Sequence, residues 1–240
     1  MKRTVVVLFA LLLLAGAAVA SPVCVKAGLN VYIANYNTAD LNNSCQIGDK
    51  IFYDFSFDSS LGQSLGPVPG PNPDEVGVNP DPGNGTTNPG LFFSSFSFLA
   101  YGGDTLDATI RYSVATVSGS SLIEDYTLEI AGAYIPLIEG LPALGPGIVT
   151  ESFSNPELSL LNQVGLGGTT VVAHVGFTPF VSGTTVTTNI HMSLPASDEG
   201  YLTISAIREH FSEQIPEPYA TVLIGSGLCF LGLRRKRVKR

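Results

Sequence analysis

Ile51-Phe52-Tyr53-Asp54-Phe55-Ser56-Phe57-Asp58 alternates with a period of two, the pattern of a strand with one face in a core and one in water. Read strictly, Ile51, Tyr53, Phe55 and Phe57 share one face, and Phe52, Asp54, Ser56 and Asp58 the other. Alternation recurs over Leu91–Tyr101, Ala108–Val117, Tyr126–Ala133, Thr169–Phe177, Thr184–Leu194 and Tyr201–Ile207. Gly, Ser and Asn separate these runs. Strands so spaced specify an all-β fold, an antiparallel β-sandwich or jelly roll, for residues 21–214. Helix is expected only near Asn30–Tyr36 and in a segment opened by Asn155-Pro156-Glu157. Gly66–Gly90 is so rich in Pro and Gly that it reads as a long exposed loop.

Composition agrees. Charged residues make up 13% of the 240, with 26 Gly, 16 Pro and no Trp. That is roughly half the usual charged share of about 25%, and argues against a helix-rich cytosolic enzyme. The few cations lie mostly at the ends. Between Ser21 and Ile215 only Lys26, Lys50, Arg111 and Arg208 stand against 19 acidic residues, a net charge of −15. Such a body repels phosphate backbones, so no nucleic-acid partner is expected.

The ends read as membrane-handling signals. Residues 1–20 run from Lys2 and Arg3 through an apolar stretch to Ala18-Val19-Ala20, a signal peptide that signal peptidase would cut between Ala20 and Ser21. At the other end, Pro216-Glu217-Pro218 precedes Tyr219–Leu233, which carries no charge, and then Arg234, Arg235, Lys236, Arg237, Lys239 and Arg240. As a helix, residues 219–233 rise about 22 Å, short of a hydrocarbon core of about 30 Å. Snorkelling Arg and Lys side chains make up part of the difference. The expected fold is thus flanked by a signal-peptide helix and a C-terminal transmembrane helix, with the basic tail in the cytoplasm.

In this order, the motif, short apolar helix and basic cluster of residues 215–240 resemble the PEP-CTERM sorting signal of Gram-negative bacteria. The resemblance implies cleavage near Pro216–Pro218 by an exosortase partner and anchoring in the inner membrane during transit. It also implies a final place at the cell surface or in extracellular matrix, in a pathway associated with exopolysaccharide and biofilm. More loosely, Ser44–Phe57, Gly90-Leu91-Phe92-Phe93, Tyr112-Ser113-Val114 and the closing TISAIREHFSEQIPEP are similar to uncharacterised β-rich exported domains that carry this tail. No activity is attached to them.

Export favours oxidation of Cys24 and Cys45, the two cysteines of the processed body, to a disulfide. Cys229 lies in the tail helix. No catalytic residue, cofactor or metal is expected. Gly62-Gln63-Ser64-Leu65-Gly66 matches a hydrolase nucleophile elbow, but Pro67, Pro69 and Pro71 block the helix that the elbow requires. Asn79, Asp81 and Asn84 lack a calcium-loop spacing, Glu124-Asp125 and Asp198-Glu199 read as solvated turns, and Thr185-Val186-Thr187 reads as strand surface. Thr169–Phe177 and Thr184–Leu194 are expected to form a hairpin closed by Ser182-Gly183. Val171 then faces Leu194, Ala173 faces Met192, and His174 lies opposite His191. That histidine pair is the nearest approach to a metal site, and no third ligand accompanies it. The sequence therefore points to a non-enzymatic surface or matrix protein. A carbohydrate-binding module using its Tyr and Phe side chains is the alternative, and a secreted hydrolase the third.

Overall fold

The computed structural model describes residues 21–63, 66–83, 88–117, 122–135, 147–155, 157–164, 169–196 and 200–214. The expected signal peptide and the sorting tail, with its Pro216–Pro218 motif and apolar helix, lie outside the described residues. Among the described residues, no helix is long and apolar enough to cross a membrane.

The fold is all-β, two antiparallel sheets packed as a sandwich. The strands are β1 (Ala27–Gly28), β2 (Cys45–Ile47), β3 (Lys50–Gln63), β4 (Gly66–Pro69), β5 (Gly77–Asp81), β6 (Gly90–Ser94) and β7 (Leu99–Tyr101). They continue with β8 (Thr105–Thr116), β9 (Leu122–Ile135), β10 (Gly147–Ser154), β11 (Glu157–Val164), β12 (Thr169–Val181), β13 (Gly183–Ser193) and β14 (Tyr201–Gln214). The first sheet runs β11-β10-β13-β8-β3-β2, with β4 on β3. The second runs β1-β5-β6-β14-β9-β12, with β7 on β14. Helix α1 (Leu29–Tyr36), where the sequence placed one, buries Leu29 and Tyr32. Inward rings join the sheets: Tyr126 of β9 meets Phe153 of β10 at 4.8 Å, and Phe93 of β6 meets Tyr112 of β8 at 6.0 Å. Edge-on and tilted contacts of this kind suit the ring quadrupoles. The expected disulfide is present, with Cys24 and Cys45 Cα atoms 4.8 Å apart, and it fastens the N-terminal segment to β2.

Four expectations are corrected. The alternation of β3 breaks, because Phe52 and Phe55 are both buried. Asp54 and Phe55 together oppose Tyr112, a β-bulge between Tyr53 and Ser56 with Asp54 at φ 58°. The extra residue flips the inward parity from Phe52 to Phe55 and Phe57.

Gly66–Gly90 is not an exposed loop. It supplies β4, a 3₁₀ turn at Pro73–Glu75 and β5, and buries Val76 and Val78. Proline is tolerated there because β1 pairs only Val78 and Gly77, leaving Pro80 with a neighbour strand on one side, at Leu91.

Asn155 and Glu157 open no helix. Ser154 pairs with Glu157 across a tight β10–β11 turn, and Pro156 lies outside the described residues.

The β12–β13 hairpin does not form. β12 pairs with β9 in the second sheet, and β13 with β8 and β10 in the first. The chain changes sheets around Ser182, so the apolar residues of both strands point into the core from opposite sides. Two strands facing each other across a sandwich carry the same inward pattern as a paired hairpin, so hydrophobicity alone does not separate the two arrangements.

Candidate functional site

Outward residues of the first sheet form a broad polar face, because alternation turns every second residue of β8, β10, β11 and β13 away from the core. Ser159, Ser152, Thr187, Arg111 and Ser56 make one cross-strand row. Leu161, Thr150, Asn189, Thr109 and Asp58 make the next. A groove of about 620 Å³ crosses this face between Arg111, Ser152, Ser154, Glu157, Ser159, Thr185 and Thr187. Its walls are fixed by their own bonds. The Ser113 and Thr185 hydroxyls meet at 2.8 Å, Thr185 N donates to Ser154 Oγ at 3.0 Å, and Arg111 reaches Asp54 of the bulge at 3.0 Å. The Thr185-Val186-Thr187 element is therefore part of a wider hydroxyl array. Its partners are far away in sequence, which is why strand patterning did not find them.

The outward face of the second sheet is ionic. Arg208 pairs with Asp81 at 3.2 Å and Glu129 at 3.1 Å, and lies 5.2 Å over the Phe92 ring. Asp81 is thus engaged by one cation, and His210 Nε2 adds a contact at 3.2 Å. Burial opposes ionisation of Asp81, but the Gly83 N–H, His210 and Arg208 outweigh it and hold its pKa below the ordinary value. Asn84, the third residue of the candidate calcium loop, lies outside the described residues. Glu124 and Asp125 belong to β9 rather than a turn, and Asp198-Glu199 lies outside the described residues.

The two candidate histidines are kept apart. His174 pairs with Asp125 at 3.1 Å on the second sheet, and His191 with Asp107 at 2.7 Å on the first. Among the described residues, no cluster of three or more metal-ligating side chains occurs. The Gly62–Gly66 motif joins two antiparallel strands, with Gln63 paired to Gly66, so it has no following helix. Ser64 lies outside the described residues.

Sequence reading missed a polar cluster sealed between the sheets. Glu151, Thr188 and Tyr112 point in from the first sheet, and Glu209 and Tyr126 from the second, all buried. Thr188 Oγ1 lies 3.2 Å from Glu151 Oε1 and 2.9 Å from Glu209 Oε1, and the Tyr112 hydroxyl donates to Glu209 Oε2. Burial, then the Glu209 charge, pushes the Glu151 carboxyl well above the usual range. Burial also raises both phenols. Sealed from solvent, these groups act on the fold rather than on a ligand.

No family model matches the chain, and no curated protein matches it. Among solved structures, it is similar to a family 61 carbohydrate-binding module in complex with β-1,4-galactotriose, at 9% identity and TM-score 0.34, over 66% of this chain and 88% of that one. A xylan-binding module of family 15 shows 9% identity and TM-score 0.30, over 71% and 96%. A family 35 module from an environmental isolate shows 15% identity and TM-score 0.26, over 46% and 66%. At these TM-scores the likeness indicates neither ligand nor mechanism for this chain.

Proposed function

We propose that this chain is an exported, non-enzymatic protein of a Gram-negative cell surface or extracellular matrix, delivered through exosortase sorting. The ordered tail of Pro216-Glu217-Pro218, an uncharged stretch and a basic terminus carries this reading. The Cys24–Cys45 disulfide supports export. Signal peptidase removes residues 1–20, the tail helix holds the chain in the inner membrane in transit, and exosortase cuts near Pro216–Pro218. The test is expression in an exosortase-bearing host and in its exosortase deletion, with intact-mass analysis of the processed chain. The reading requires a product beginning at Ser21 and lacking the basic tail only where the exosortase is present. An identical C-terminus in both hosts overturns it.

A second reading, carbohydrate binding by the sandwich, is supported by the hydroxyl-lined groove between Arg111 and Ser159. Its hydroxyl groups, set beside the apolar Phe153 and Leu158, suit a hydroxylated polymer such as an exopolysaccharide. A hydrolase reading requires Ser64 as nucleophile, and activity surviving Ser64→Ala removes it.

A further inference from the structure

We propose that the Phe96 corner of the second sheet is a binding site for a neutral polysaccharide strand. This rests on the carbohydrate reading above and places its aromatic platform away from the first-sheet groove. Phe96 is 96% exposed and stands between β6 and β7, where β14 bulges at Ser205. A Phe ring left wholly in water forgoes the gain that burying its apolar surface would bring. Its neighbour Phe98 takes the core position instead and is buried.

Beside the ring lies a recess of about 280 Å³, lined by Glu75, Gly77, Ser94, Ser95 and Ser205. The absence of a side chain at Gly77 helps keep it open, since a Cβ there would stand 3.0 Å from Ser94 Oγ. Glu75 is held in place, with its Oε2 accepting the Asn72 N–H at 3.0 Å and its backbone carbonyl accepting Ser95 Oγ at 3.0 Å. The site thus combines one apolar ring and hydroxyl groups with Glu75, a lining residue whose carboxylate is fixed at Asn72.

Along the same outward face, Thr203 and Tyr201 follow Ser205. Tyr101, 54% exposed, stacks at 6.2 Å from Tyr201 in a tilted pair. Ser205 lies four residue steps along the strand from Tyr201, about 13 Å at 3.3 Å per residue. The face therefore offers an aromatic group at each end of a polar track.

A pyranose ring matches this chemistry. Its axial C–H groups carry slight positive charge and lie against the electron-rich face of an aromatic ring. Its hydroxyls donate to a carboxylate and exchange hydrogen bonds with serine and threonine. The spacing asks for a chain of several sugars rather than one. Charge decides the class: with Glu75 in the recess and a body of net charge −15, a uronate polymer is repelled.

The probe is cellohexaose, whose equatorial hydroxyls leave C–H groups on both ring faces. Its titration into the folded full chain, followed by calorimetry and by ring resonances of Phe96, Tyr101 and Tyr201, should give saturable binding that moves those resonances. Phe96→Ala and Tyr201→Ala should each lower affinity tenfold or more. Melting of Phe96→Ala should match the parent, because the ring makes no core contact. Polygalacturonate should not bind. Cellohexaose binding that survives Phe96→Ala but is lost on Thr187→Arg in the groove overturns this site and leaves the carbohydrate reading standing. No binding of cellohexaose by the parent chain overturns the site, and failure of a neutral-glycan array to retain the chain overturns the carbohydrate reading with it. Loss of self-association on Phe96→Ala, with no change in sugar binding, assigns the corner to protein contact and also overturns it.

Discussion

Glu151 of the first sheet and Glu209 of the second meet on one hydroxyl, that of Thr188, at 3.2 and 2.9 Å inside a core closed to water. A hydroxyl has one proton to give. It donates to the nearer Glu209, which also accepts from Tyr112. Two ionised carboxylates in this space are prohibitively costly. Burial, followed by the Glu209 charge, therefore keeps Glu151 protonated, and the pair shares a proton across the sandwich.

The sign of the resulting pH dependence follows from linkage. The folded Glu151 pKa lies well above its ordinary value. Its contribution is fully present below the unfolded pKa of about 4.3 and is lost as pH rises toward the folded one. In that window the loss is about 1.4 kcal/mol per pH unit. Glu151→Gln keeps a neutral hydrogen-bonding group and removes the titration. Urea unfolding between pH 5 and 8 should show the variant gaining on the parent with rising pH. Parallel pH curves would mean that Glu151 is ionised in the fold.

A second buried charge sits at the end of β3. Lys50 has no exposed surface, and its Nζ lies 2.7 Å from Asp49 and 3.0 Å from Glu213 of the opposite sheet. Burial, with the adjoining Asp49, raises the Glu213 carboxyl despite the lysine. Lys50→Met leaves two carboxylates facing each other without a cation. It should cost about 3–5 kcal/mol, the range for breaking a buried pair from one side. Glu213→Gln should cost less, because Asp49 still holds the ammonium. Equal melting temperatures for Lys50→Met and the parent would show the pair to be dispensable.

Much of the sandwich was legible because its strands alternate. β9, β12 and β14 each contain the run read from sequence, and β8 and β13 end one residue short of theirs. Four features were hidden for physical reasons. Asp54 inserts one residue and reverses parity, while the composition of the strand stays ordinary. Val76 and Val78 are buried from within a Pro- and Gly-rich stretch, since an edge position tolerates what a central strand does not. The strands that assemble the groove meet only through the topology. Phe96 stood in an alternating run, Ser94 to Phe98, whose pattern cannot show which ring turns outward where the strand breaks.

The sheet change at Ser182 has a direct spectroscopic consequence. In the hairpin register, His174 and His191 would be neighbours and would repel on protonation. In the fold, each has its own carboxylate, Asp125 or Asp107, on opposite outer faces. The two rings should therefore show no mutual contact by NMR, and His174→Ala should leave the His191 ring resonances in place. Zinc should not bridge them. A cross-strand Hα contact between His191 and Asp107, partners in the β13–β8 register, should be observed. A contact between His174 and His191 would restore the hairpin.

Asp54 tests the bulge that sets the inward face of β3. Its φ of 58° lies in the left-handed region, which Asp visits at modest cost and a β-branched residue resists. Its carboxylate also holds Arg111 at 3.0 Å, a pair exposed enough to contribute little. Backbone conformation should therefore outweigh the ion pair. Asp54→Gly should unfold within about 1 kcal/mol of the parent, the lost pair being offset by a residue at ease with positive φ. Asp54→Val should cost about 1–2 kcal/mol or more, and it should disturb Phe55, whose burial depends on the extra residue before it. Urea unfolding of the three chains orders them Gly above Val. The reverse order, with Val the more stable, would return β3 to unbroken alternation and turn Phe55 back to the face of Tyr53.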